Sequence, residues 1–544
     1  FCLFVCIVVF VVCLITLDQF VLFLGLSIVF IALFSGCILF TNPYYYKLKL
    51  LNNLAYIYKK HQNRRNLSYH SFTPDGRELM DYTDYKELDL DILGPRSLFQ
   101  YLCVAKTKEG RKKLATQLTH PIAKPKEFTD CVLALAKDES SLKLEASIAL
   151  IGPECKDCDQ KEMLGIVKEK IKIQWWGIAL CIASYVAFAV LLTVLLLNHI
   201  EPYYVLLFLP VNFIIMKKCI KSNVFYFPST KYANLLSAYK NLSKDIINLQ
   251  IADPYYQHLQ KNIENEYSSL VELSRIFDML SYRKNIILSL IGNGVFFLDL
   301  ILAGLFNSFT KHLKSIEECL NALSELEVML SLATIGIDQE VYTIPTPSDC
   351  FKIVDGYHPL VRNCVPNSLE FSKGIVLTGS NMSGKTTFMR MLGVNQILAN
   401  AGGLVCAREF VTGNYQVVTS LRANDMLQEG ISTFYAEVNR MKKIMEECQN
   451  SKPLVLIDEI FKGTNAKDRI FAANKIIEKL NTFGCYFLIT THDFELCEVE
   501  SITNYHFDEE YIEDKITFDY KIKNGKCQKT NAIYLLKLAG VLDK

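Results

Sequence analysis

Long runs of apolar residues interrupt an otherwise mixed chain, and two of them lie at its amino-terminal end. Residues 1–17 and 20–40 are almost entirely apolar and are separated only by Asp18 and Gln19. Each run approaches the ~20 residues that a helix needs to cross a bilayer. A signal peptide would account for one such run but not for two in succession. The pattern therefore predicts a transmembrane hairpin over residues 1–40.

A second pair of apolar runs lies in the middle of the chain. Residues 175–197 carry no charge, and a shorter run at 203–216 contains Pro210 and Asn212. We assign both to a second transmembrane hairpin at 173–216. Lysine and arginine are enriched in cytoplasmic loops. Both ends of this hairpin are therefore predicted to be cytoplasmic from the lysines that flank it: Lys168, Lys170, Lys172, Lys217, Lys218 and Lys221.

A fifth apolar run, residues 286–306, differs from the others because Asn293 and Asp299 interrupt it. An ionisable residue is costly at membrane depth. We therefore predict a buried core helix here in preference to another membrane span.

Between these runs the pattern is helical, and after residue 341 it changes. Residues 232–283 and 311–335 place apolar side chains three and four positions apart, which is typical of packed helices. From residue 342, short β-rich runs alternate with helical ones, as in α/β domains. The predicted segments are therefore 1–40, 41–172, 173–216, 217–341 and 342–544.

Composition and charge narrow the classes of protein. Of the 544 residues, 51% are hydrophobic and 21% are charged, which excludes a disordered chain. A formal net charge of +1 gives no global electrostatic argument for nucleic-acid binding. The 18 cysteines are scattered and predict no disulfide framework. Cys155 and Cys158 form a Cys-x-x-Cys pair without further ligands at zinc spacing, and we interpret them as surface thiols.

The most specific motif follows a short apolar strand at residues 375–378. The next eight residues read GSNMSGKT, which satisfies the P-loop pattern G-x-x-x-x-G-K-S/T. In such a loop, backbone N–H groups wrap phosphate oxygens, the lysine reaches the β and γ phosphates and the hydroxyl binds Mg²⁺. The motif predicts a nucleotide site made of Gly379, Ser380, Asn381, Met382, Ser383, Gly384, Lys385, Thr386 and Thr387.

Two further apolar strands end in polar residues that suit the same site. Residues 453–457 run into Asp458 and Glu459, and residues 485–490 lead to His492. Taken alone, the acidic pair could cap a helix, and a single histidine is more often structural. Their order after the P-loop favours a catalytic interpretation.

Phosphoryl-transfer chemistry assigns a role to each of these residues. Thr386 and Asp458 are expected to hold Mg²⁺, and Glu459 is expected to orient or deprotonate the attacking water. Lys385 would stabilise the transferred charge, and His492 would assist near the γ-phosphate. The predicted catalytic residues are thus Lys385, Glu459 and His492.

The string TGSNMSGKTTFMR at residues 378–390 closely resembles the Walker A segment of the MutS family of mismatch-repair ATPases, which are of the ABC type. Similar segments follow the family in order: YHPL at 357–360, GISTF at 430–434 with Glu437, LIDEIFKGTN at 456–465 and THDFEL at 491–496. The region from about 342 to 520 therefore resembles the MutS ATPase domain.

This resemblance implies further properties. Ser432 and Thr433 would stand for the signature segment that reaches the nucleotide of the opposite subunit, which implies a dimer, expected to be a homodimer. ATP and Mg²⁺ are the implied cofactors. Asn465 stands where the family commonly has serine, and residues 364–367 lack the aromatic that usually stacks on adenine there.

The helical part resembles the family more weakly. Residues 91–121 resemble the entry to its helical core, and residues 232–335 resemble its lever helices. We expect no mismatch-recognition domain ahead of this core, and membrane hairpins at its flanks instead. The predicted fold class is mixed: N-terminal transmembrane helices and an all-α helical core and lever domain, followed by an α/β P-loop ATPase domain of the ABC type.

The resulting prediction is a membrane-anchored MutS-like ATPase, multi-pass, with its ATPase domain in the cytoplasm. Its expected partners are a second copy of the chain, mismatched or branched DNA and the lipid bilayer. Two alternatives stay open: an ABC-type membrane machine with a lipid or solute substrate, and a membrane scaffold that uses ATP as a switch.

Overall fold

The computed structural model describes residues 20–196, 208–220, 222–295, 297–371, 374–380, 382–422, 433–461, 465–512 and 515–527. Its first part is helical, and its last part contains two β-sheets. The predicted membrane run at 1–17 and the beginning of the run at 203–216 lie outside the described residues.

Helices form the chain up to residue 338. In chain order they are α1 (Phe20–Arg65), α2 (Tyr85–Asp89), α3 (Leu98–Leu102), α4 (Lys108–Thr119), α5 (Lys126–Lys137), α6 (Ser140–Ile148), α7 (Gln160–Lys168), α8 (Trp175–Leu196), α9 (Phe208–Cys219), α10 (Ser229–Asn248), α11 (Pro254–Tyr282), α12 (Ile286–Val295), α13 (Leu298–Phe309) and α14 (Leu313–Asp338). The long helix α14 packs against α4, α5 and α11. Its apolar face is core: Ile316, Leu320, Leu323, Leu326 and Leu330 are buried.

The last part alternates strands and helices. In chain order its elements are β1 (Thr346–Pro347), β2 (Phe351–Gly356), β3 (Asn367–Phe371), β4 (Gly374–Thr378), α15 (Lys385–Asn400), β5 (Glu409–Thr412), β6 (Val417–Ser420), α16 (Thr433–Asn450), β7 (Leu454–Asp458), α17 (Ala466–Phe483), β8 (Tyr486–Thr490), β9 (Ile502–Ile512) and β10 (Lys515–Asn524). The larger sheet has the order β10-β9-β4-β8-β7-β6, and the smaller one has the order β1-β5-β2-β3. The fold is therefore mixed α/β.

Strand β4 lies inside the larger sheet, parallel to both β8 and β9. All five of its residues are buried. A parallel strand covered on both faces is a continuous apolar run rather than an alternating one, as Ile375, Val376 and Leu377 illustrate. Because β4, β7 and β8 are parallel, their carboxyl ends meet at one edge of the sheet, where ligands bind in open α/β sheets.

Helix α1 is a single helix of 46 residues, and it passes without a break through the boundary predicted after residue 40. Its carboxyl end is anchored in the core by buried charges. His61 Nδ1 lies 2.9 Å from Asp338, and its Nε2 lies 3.2 Å from Glu145. Burial lowers the pKa of His61, but the two carboxylates outweigh that effect and raise it. The helix that leaves the apolar amino-terminal run is therefore tied to the end of α14, just before the α/β part.

Among the described residues, one helical stretch has the length and apolar character of a membrane span: Leu298–Asp338, with 41 residues. Its most apolar window of 18 residues is 72% buried, so that window is core. The apolar run that begins at Trp175 forms α8, and it leaves large apolar side chains exposed, such as Trp175 at 81% and Ile182 at 62%.

The run at 286–306 forms two helices rather than the single core helix predicted from its pattern. Phe297, with a left-handed φ of 48°, separates α12 from α13. The backbone N–H of Asp299 donates to Asn293 Oδ1 at 2.8 Å, so the polar residues that interrupt the run close the bend. Helix α13 is partly core, whereas Ile286 of α12 is 81% exposed. The prediction of one buried helix was therefore wrong for α12.

Cys155 and Cys158 are buried, at 1% and 4% exposure, and their interpretation as surface thiols was also wrong. The turn that carries them packs against α10, and Cys155 Sγ donates to the carbonyl of Lys231 at 3.4 Å. In the part of the chain that the structure describes, no cluster of three or more His, Cys, Asp or Glu side chains is arranged to hold a metal.

One buried carboxylate joins the helical part to the α/β part. Asp89, at the end of α2, accepts hydrogen bonds from Thr419 Oγ1 at 2.8 Å and from the backbone N–H groups of Leu421 and Arg422 at 2.9 and 3.1 Å. Arg440 of α16 is buried and pairs with the same carboxylate. Asp89 thereby binds the end of β6, the two residues that follow it and helix α16.

Asp91 extends this contact to the helix that follows the P-loop. Its carboxylate pairs with Arg422 Nη2 at 2.7 Å and with Arg390 Nη1 of α15 at 3.2 Å. We call Asp89, Asp91, Arg390, Arg422 and Arg440 the interdomain charge cluster. It connects α2 and the turn after it to α15, to the residues that follow β6 and to α16.

Replacing Asp89 by asparagine should destabilise the protein by about 3–5 kcal/mol, because Arg440 then stays buried without its counter-charge. The thermal unfolding midpoint of the purified protein measures this change. Glu409→Gln is the control, since Glu409 pairs with Lys352 at the surface with side chains 47% and 36% exposed, where a pair contributes about 0–1 kcal/mol. Equal shifts in the two variants would contradict the role of Asp89.

Candidate active site

The P-loop lies between the buried strand β4 and helix α15. Gly379 and Gly384 have φ values of 146° and 104°, and Gly384 immediately precedes the first residue of α15. A side chain at Gly379 would place its Cβ 2.9 Å from the carbonyl oxygen of Phe507. These backbone requirements explain the two glycines of the motif, and the loop ends at a helix N-terminus, where anions bind favourably.

The side chain of Lys385 turns back into the phosphate loop that precedes it in the chain. Its Nζ donates to the carbonyl oxygens of Gly379 and Ser380 at 2.7 and 2.8 Å, and the residue is buried at 6% exposure. The ammonium group is thus held at the centre of the loop, where it can reach phosphate oxygens wrapped by the same backbone.

Thr386, the next residue, contacts the acidic end of β7. Its Oγ1 donates to Asp458 Oδ2 at 2.7 Å. The other carboxylate oxygen, Oδ1, accepts from Thr490 Oγ1 at 2.5 Å. The hydroxyl and carboxylate predicted to hold Mg²⁺ are therefore direct neighbours, and Thr490 at the end of β8 orients the carboxylate.

These oxygen donors fit Mg²⁺. The ion prefers oxygen ligands and is usually bound by one or two protein groups together with substrate phosphates and water. Thr386 and Asp458 supply two oxygens beside the phosphate loop.

Glu459 follows Asp458 but leaves the strand in another direction. Its φ of 59° is left-handed, and its backbone N–H donates to the carbonyl and to Oγ1 of Thr490 at 3.2 and 3.1 Å. Its side chain reaches His492, with Oε1 3.0 Å from Nε2. The predicted base and the predicted assisting histidine are therefore in contact at the carboxyl ends of β7 and β8.

His492 is positioned by its own neighbours. Asp493, the next residue, forms a two-pronged ion pair with Arg469 of α17, at 2.6 and 2.7 Å. The backbone N–H of Asp493 also donates to Thr491 Oγ1 at 3.0 Å. This bracing orients the turn after β8, and the sequence interpretation assigned no role to Arg469 or Thr490.

The YHPL segment is hydrogen-bonded to helix α15, which follows the P-loop. Asn395 of α15 donates from Nδ2 to the carbonyl of Tyr357 at 3.2 Å. His358 is buried and its Nδ1 accepts from the backbone N–H of Leu360 at 3.2 Å. Burial, and secondarily the charge of Arg390, lowers the pKa of His358 to about 4. This histidine is therefore neutral near pH 7 and has a structural role.

A cleft of about 700 Å³ extends from the phosphate loop along its outer side. Three groups of residues line it. The P-loop and the start of α15 supply Ser380, Met382, Gly384, Lys385, Thr386 and Thr387, the end of β7 supplies Asp458 and the adjoining Glu459, and the chain up to the start of β3 supplies Cys364, Val365 and Asn367. A volume of this size is within the range of small-molecule and cofactor sites.

Tyr520 supplies an aromatic side chain to this cleft from an unexpected place, strand β10. A Cβ on Gly384 would lie 3.2 Å from its ring, and the side chain is 44% exposed. Asn367 holds this part of β10, since its Nδ2 donates to the Tyr520 carbonyl at 2.9 Å and its Oδ1 accepts from the Ile522 N–H at 2.9 Å. Tyr520, 153 residues after Asn367, therefore supplies to this cleft an aromatic group that the sequence lacks at 364–367.

The remaining predicted residues are placed as follows. Ser383 Oγ donates to the carbonyl of Ser380 at 2.8 Å, and Met382 is 87% exposed at the mouth of the loop. Asn381 and Ser432 lie outside the described residues, and Thr433 is the first residue of α16. Asn465, the departure from the family pattern, caps α17 by accepting from the N–H of Asp468 at 3.0 Å.

Comparison with known proteins agrees with this geometry. Residues 375–544 match the family model of MutS domain V. The chain is 34% identical over 249 residues to the DNA mismatch repair protein MutS of Bacillus licheniformis, a region that covers 43% of this chain and 28% of that protein. It is 32% identical over 262 residues to the protein of the same name from Thermotoga maritima, covering 44% and 32%.

The Thermus thermophilus protein, also a DNA mismatch repair protein MutS, is 32% identical over 238 residues, which cover 42% of this chain and 29% of that protein. The similarity thus spans about three tenths of the length of these relatives.

Replacing Thr490 by valine should lower kcat by about 10- to 100-fold, because a hydrogen bond to the charged Asp458 is lost. It should also raise the Mg²⁺ concentration needed for half-maximal activity. Steady-state ATP hydrolysis across a Mg²⁺ titration measures both effects. Thr490→Ser keeps the hydroxyl and should restore them, and equal loss in the two variants would contradict a positioning role.

Replacing Tyr520 by alanine should weaken ATP binding by roughly 5-fold or more, since stacking on a base contributes about 1–3 kcal/mol. Binding of inorganic triphosphate, which has no base, should not change, and Tyr520→Phe should bind ATP normally. Equilibrium titrations of Tyr520→Ala with ATP and with triphosphate, and of Tyr520→Phe with ATP, measure these dissociation constants against those of the unchanged protein. Equal weakening of ATP and triphosphate would show that Tyr520 shapes the loop instead.

Proposed function

We propose that the protein is a MutS-type ATPase that binds ATP with Mg²⁺ and hydrolyses it in a homodimer, because residues 375–544 match the family model of MutS domain V. The observation that carries this proposal is the contact of Thr386 with Asp458 beside the contact of Glu459 with His492, both at the phosphate loop.

Each side chain has a defined part in hydrolysis. Lys385 and the loop N–H groups bind the phosphates and stabilise the charge that develops on them. Thr386 and Asp458 would hold Mg²⁺, which would supply positive charge to stabilise the phosphates. Glu459 orients and deprotonates the attacking water, and His492 holds the carboxylate in place through its 3.0 Å contact.

The homodimer completes the site. Ser432 and Thr433 stand for the signature segment, and in this proposal they reach the nucleotide bound by the partner subunit. The resemblance of residues 430–434 to the signature segment of the family supports this idea. Thr433 is the first residue of α16, whose Arg440 pairs with Asp89. ATP binding would draw the two α/β parts together and would move the helical parts through the interdomain charge cluster.

DNA, mismatched or branched, is the proposed substrate of the helical levers α11 and α14. The support comes from the names of the relatives, which are DNA mismatch repair proteins. Because the matched region covers 28% and 32% of those two relatives, the DNA substrate is a proposal for this chain.

A lipid bilayer is the proposed attachment site, with α8 and α9 forming part of a multi-pass anchor and the ATPase part in the cytoplasm. The uncharged 22-residue helix α8 and its exposed apolar side chains support this. The attachment requires that acyl chains contact the segment that begins at Trp175 and Trp176.

The same apolar surface favours a second candidate function, an ABC-type membrane machine or an ATP-switched scaffold with a substrate other than DNA. In a machine of this kind, lipid or solute would stimulate hydrolysis. In a scaffold, the biological effect would persist without hydrolysis.

ATP hydrolysis by the detergent-solubilised protein, with and without duplex, mismatched and branched DNA, tests the proposal, with Lys385→Ala as the blank. We expect stimulation by DNA, and we expect Glu459→Gln to bind ATP normally while losing about 100- to 10,000-fold in kcat. Hydrolysis that no DNA changes would refute the DNA substrate and favour the second candidate. Normal hydrolysis by Glu459→Gln would refute the assigned base.

A further inference from the structure

Helix α12 exposes apolar side chains to an unusual extent for a protein surface. Ile286 is 81% exposed, Ile287 66%, Leu288 47% and Ile291 43%. Four large aliphatic groups within six positions form a continuous patch, and patches of this kind mark contacts with another molecule or with a membrane. The neighbouring helices α8 and α9 continue it with exposed residues such as Val186 at 61% and Ile214 at 53%.

Polar groups hold these three helices together from the inside. Asn212 of α9 is buried, and its Nδ2 donates to the carbonyl of Gly294 in α12 at 2.7 Å. Its Oδ1 accepts a hydrogen bond from the hydroxyl of Ser184 in α8. Apolar side chains point outwards and hydrogen-bonded polar ones point inwards, the arrangement that a helix bundle adopts in lipid.

The ionisable residue in this region is also kept inside. Asp299, at the start of α13, is 1% exposed and pairs with Arg283 Nε at 2.7 Å. Arg283 in turn lies over the ring of Phe225, 4.2 Å from its centre. A carboxylate that is paired and turned away from the outer surface does not oppose contact of that surface with acyl chains.

The base of the α12–α13 hairpin is joined to the base of α8. Asn307 of α13 donates to the carbonyl of Ile171 at 2.9 Å and accepts from its N–H at 2.8 Å. Exposed lysines surround this base: Lys172, Lys217, Lys218, Lys284 and Lys311. Lysines at this level complement the anionic cytoplasmic surface of a membrane.

The two helices of the hairpin are too short to cross a bilayer. With 10 and 12 residues, they extend about 15 and 18 Å at 1.5 Å per residue. The hydrocarbon core is about 30 Å thick, and apolar segments of this length form buried core helices or re-entrant or interfacial segments instead of spans. Both ends of the hairpin continue into lever helices, since α11 ends at Tyr282 and α14 begins at Leu313.

We propose that Ile286–Phe309 is a re-entrant hairpin that enters the lipid bilayer beside α8 and α9 from the cytoplasmic side. The levers α11 and α14 then end in the membrane itself, and movement started by nucleotide reaches the bilayer through them. The proposal rests on the membrane attachment proposed above and is independent of the DNA substrate.

Fluorescence quenching by lipids that carry bromine on their acyl chains tests the hairpin. The full chain is reconstituted into vesicles of brominated phosphatidylcholine and anionic lipid. The unchanged protein, with Trp175 and Trp176, reports the attachment of α8. In a Trp175→Phe, Trp176→Phe background, Ile287→Trp reports the hairpin. Phe471→Trp, on α17 and 66% exposed, is the matched control for an exposed ring remote from this unit.

We expect Ile287→Trp to lose at least as much emission as the native tryptophan pair and Phe471→Trp to lose none. Quenching of the native pair without quenching of Ile287→Trp would overturn the hairpin and leave the attachment intact. Absence of quenching in both would overturn both proposals. Emission from Ile287→Trp that bromine does not change but that shifts to shorter wavelength with protein concentration would assign the patch to a second copy.

Ile291→Trp, one helical turn further along α12, guards against a local fault at position 287. ATP hydrolysis at the rate of the background protein shows that each variant is folded, because neither position contacts the nucleotide site. Both hairpin variants should be quenched, and failure of both in hydrolysing protein would overturn the proposal.

Discussion

The parallel register of three strands places the whole candidate site. Thr490 pairs with Leu377 of β4 on one side and with Asp458 of β7 on the other. The strand that leads into the phosphate loop, the strand that ends in the acidic pair and the strand that precedes His492 therefore stop at the same level. Thr386, Asp458, Glu459 and His492 meet because of this alignment, and a one-residue slip would turn each side chain to the opposite face.

The helical part depends on this edge of the sheet through charge. Asp89 binds the segment between β6 and α16, and Asp91 binds both that segment and α15. A change at the phosphate loop can therefore act on the helices through a few ion pairs, of which Asp89–Arg440 is buried and costly to leave unpaired. At the far end of the same helical part, α11 and α14 lead into a hairpin whose outer surface is apolar. The molecule thus combines a polar, closely bonded junction at the sheet with an apolar surface at the opposite ends of its levers.

Sequence patterns predicted the parts of this protein whose residues are contiguous. The P-loop needs glycines, lysine and threonine at set spacings within eight residues, so its chemistry is legible without a structure. The change from helical to alternating texture near residue 342 corresponds to the passage from α14 to β1. Patterns were less informative for the run at 286–306, where Asn293 Oδ1 accepts from the backbone N–H of Asp299 and the chain forms two helices in place of one continuous buried helix.

The sequence by itself determined the nucleotide motif, the acidic strand end and the order of helical and α/β parts, because these depend on local propensity and on hydrophobic periodicity. The tertiary structure alone decided that Thr490 orients Asp458, that Asp89 joins α2 to α16 and that Tyr520 lies beside the phosphate loop. Thr490 is 32 positions from Asp458, and Arg440 is 351 positions from Asp89. Tyr520 is 136 positions from Gly384. No local pattern records such pairings, because they arise only when strands align and helices pack, and each side chain taken alone is an ordinary polar or aromatic residue.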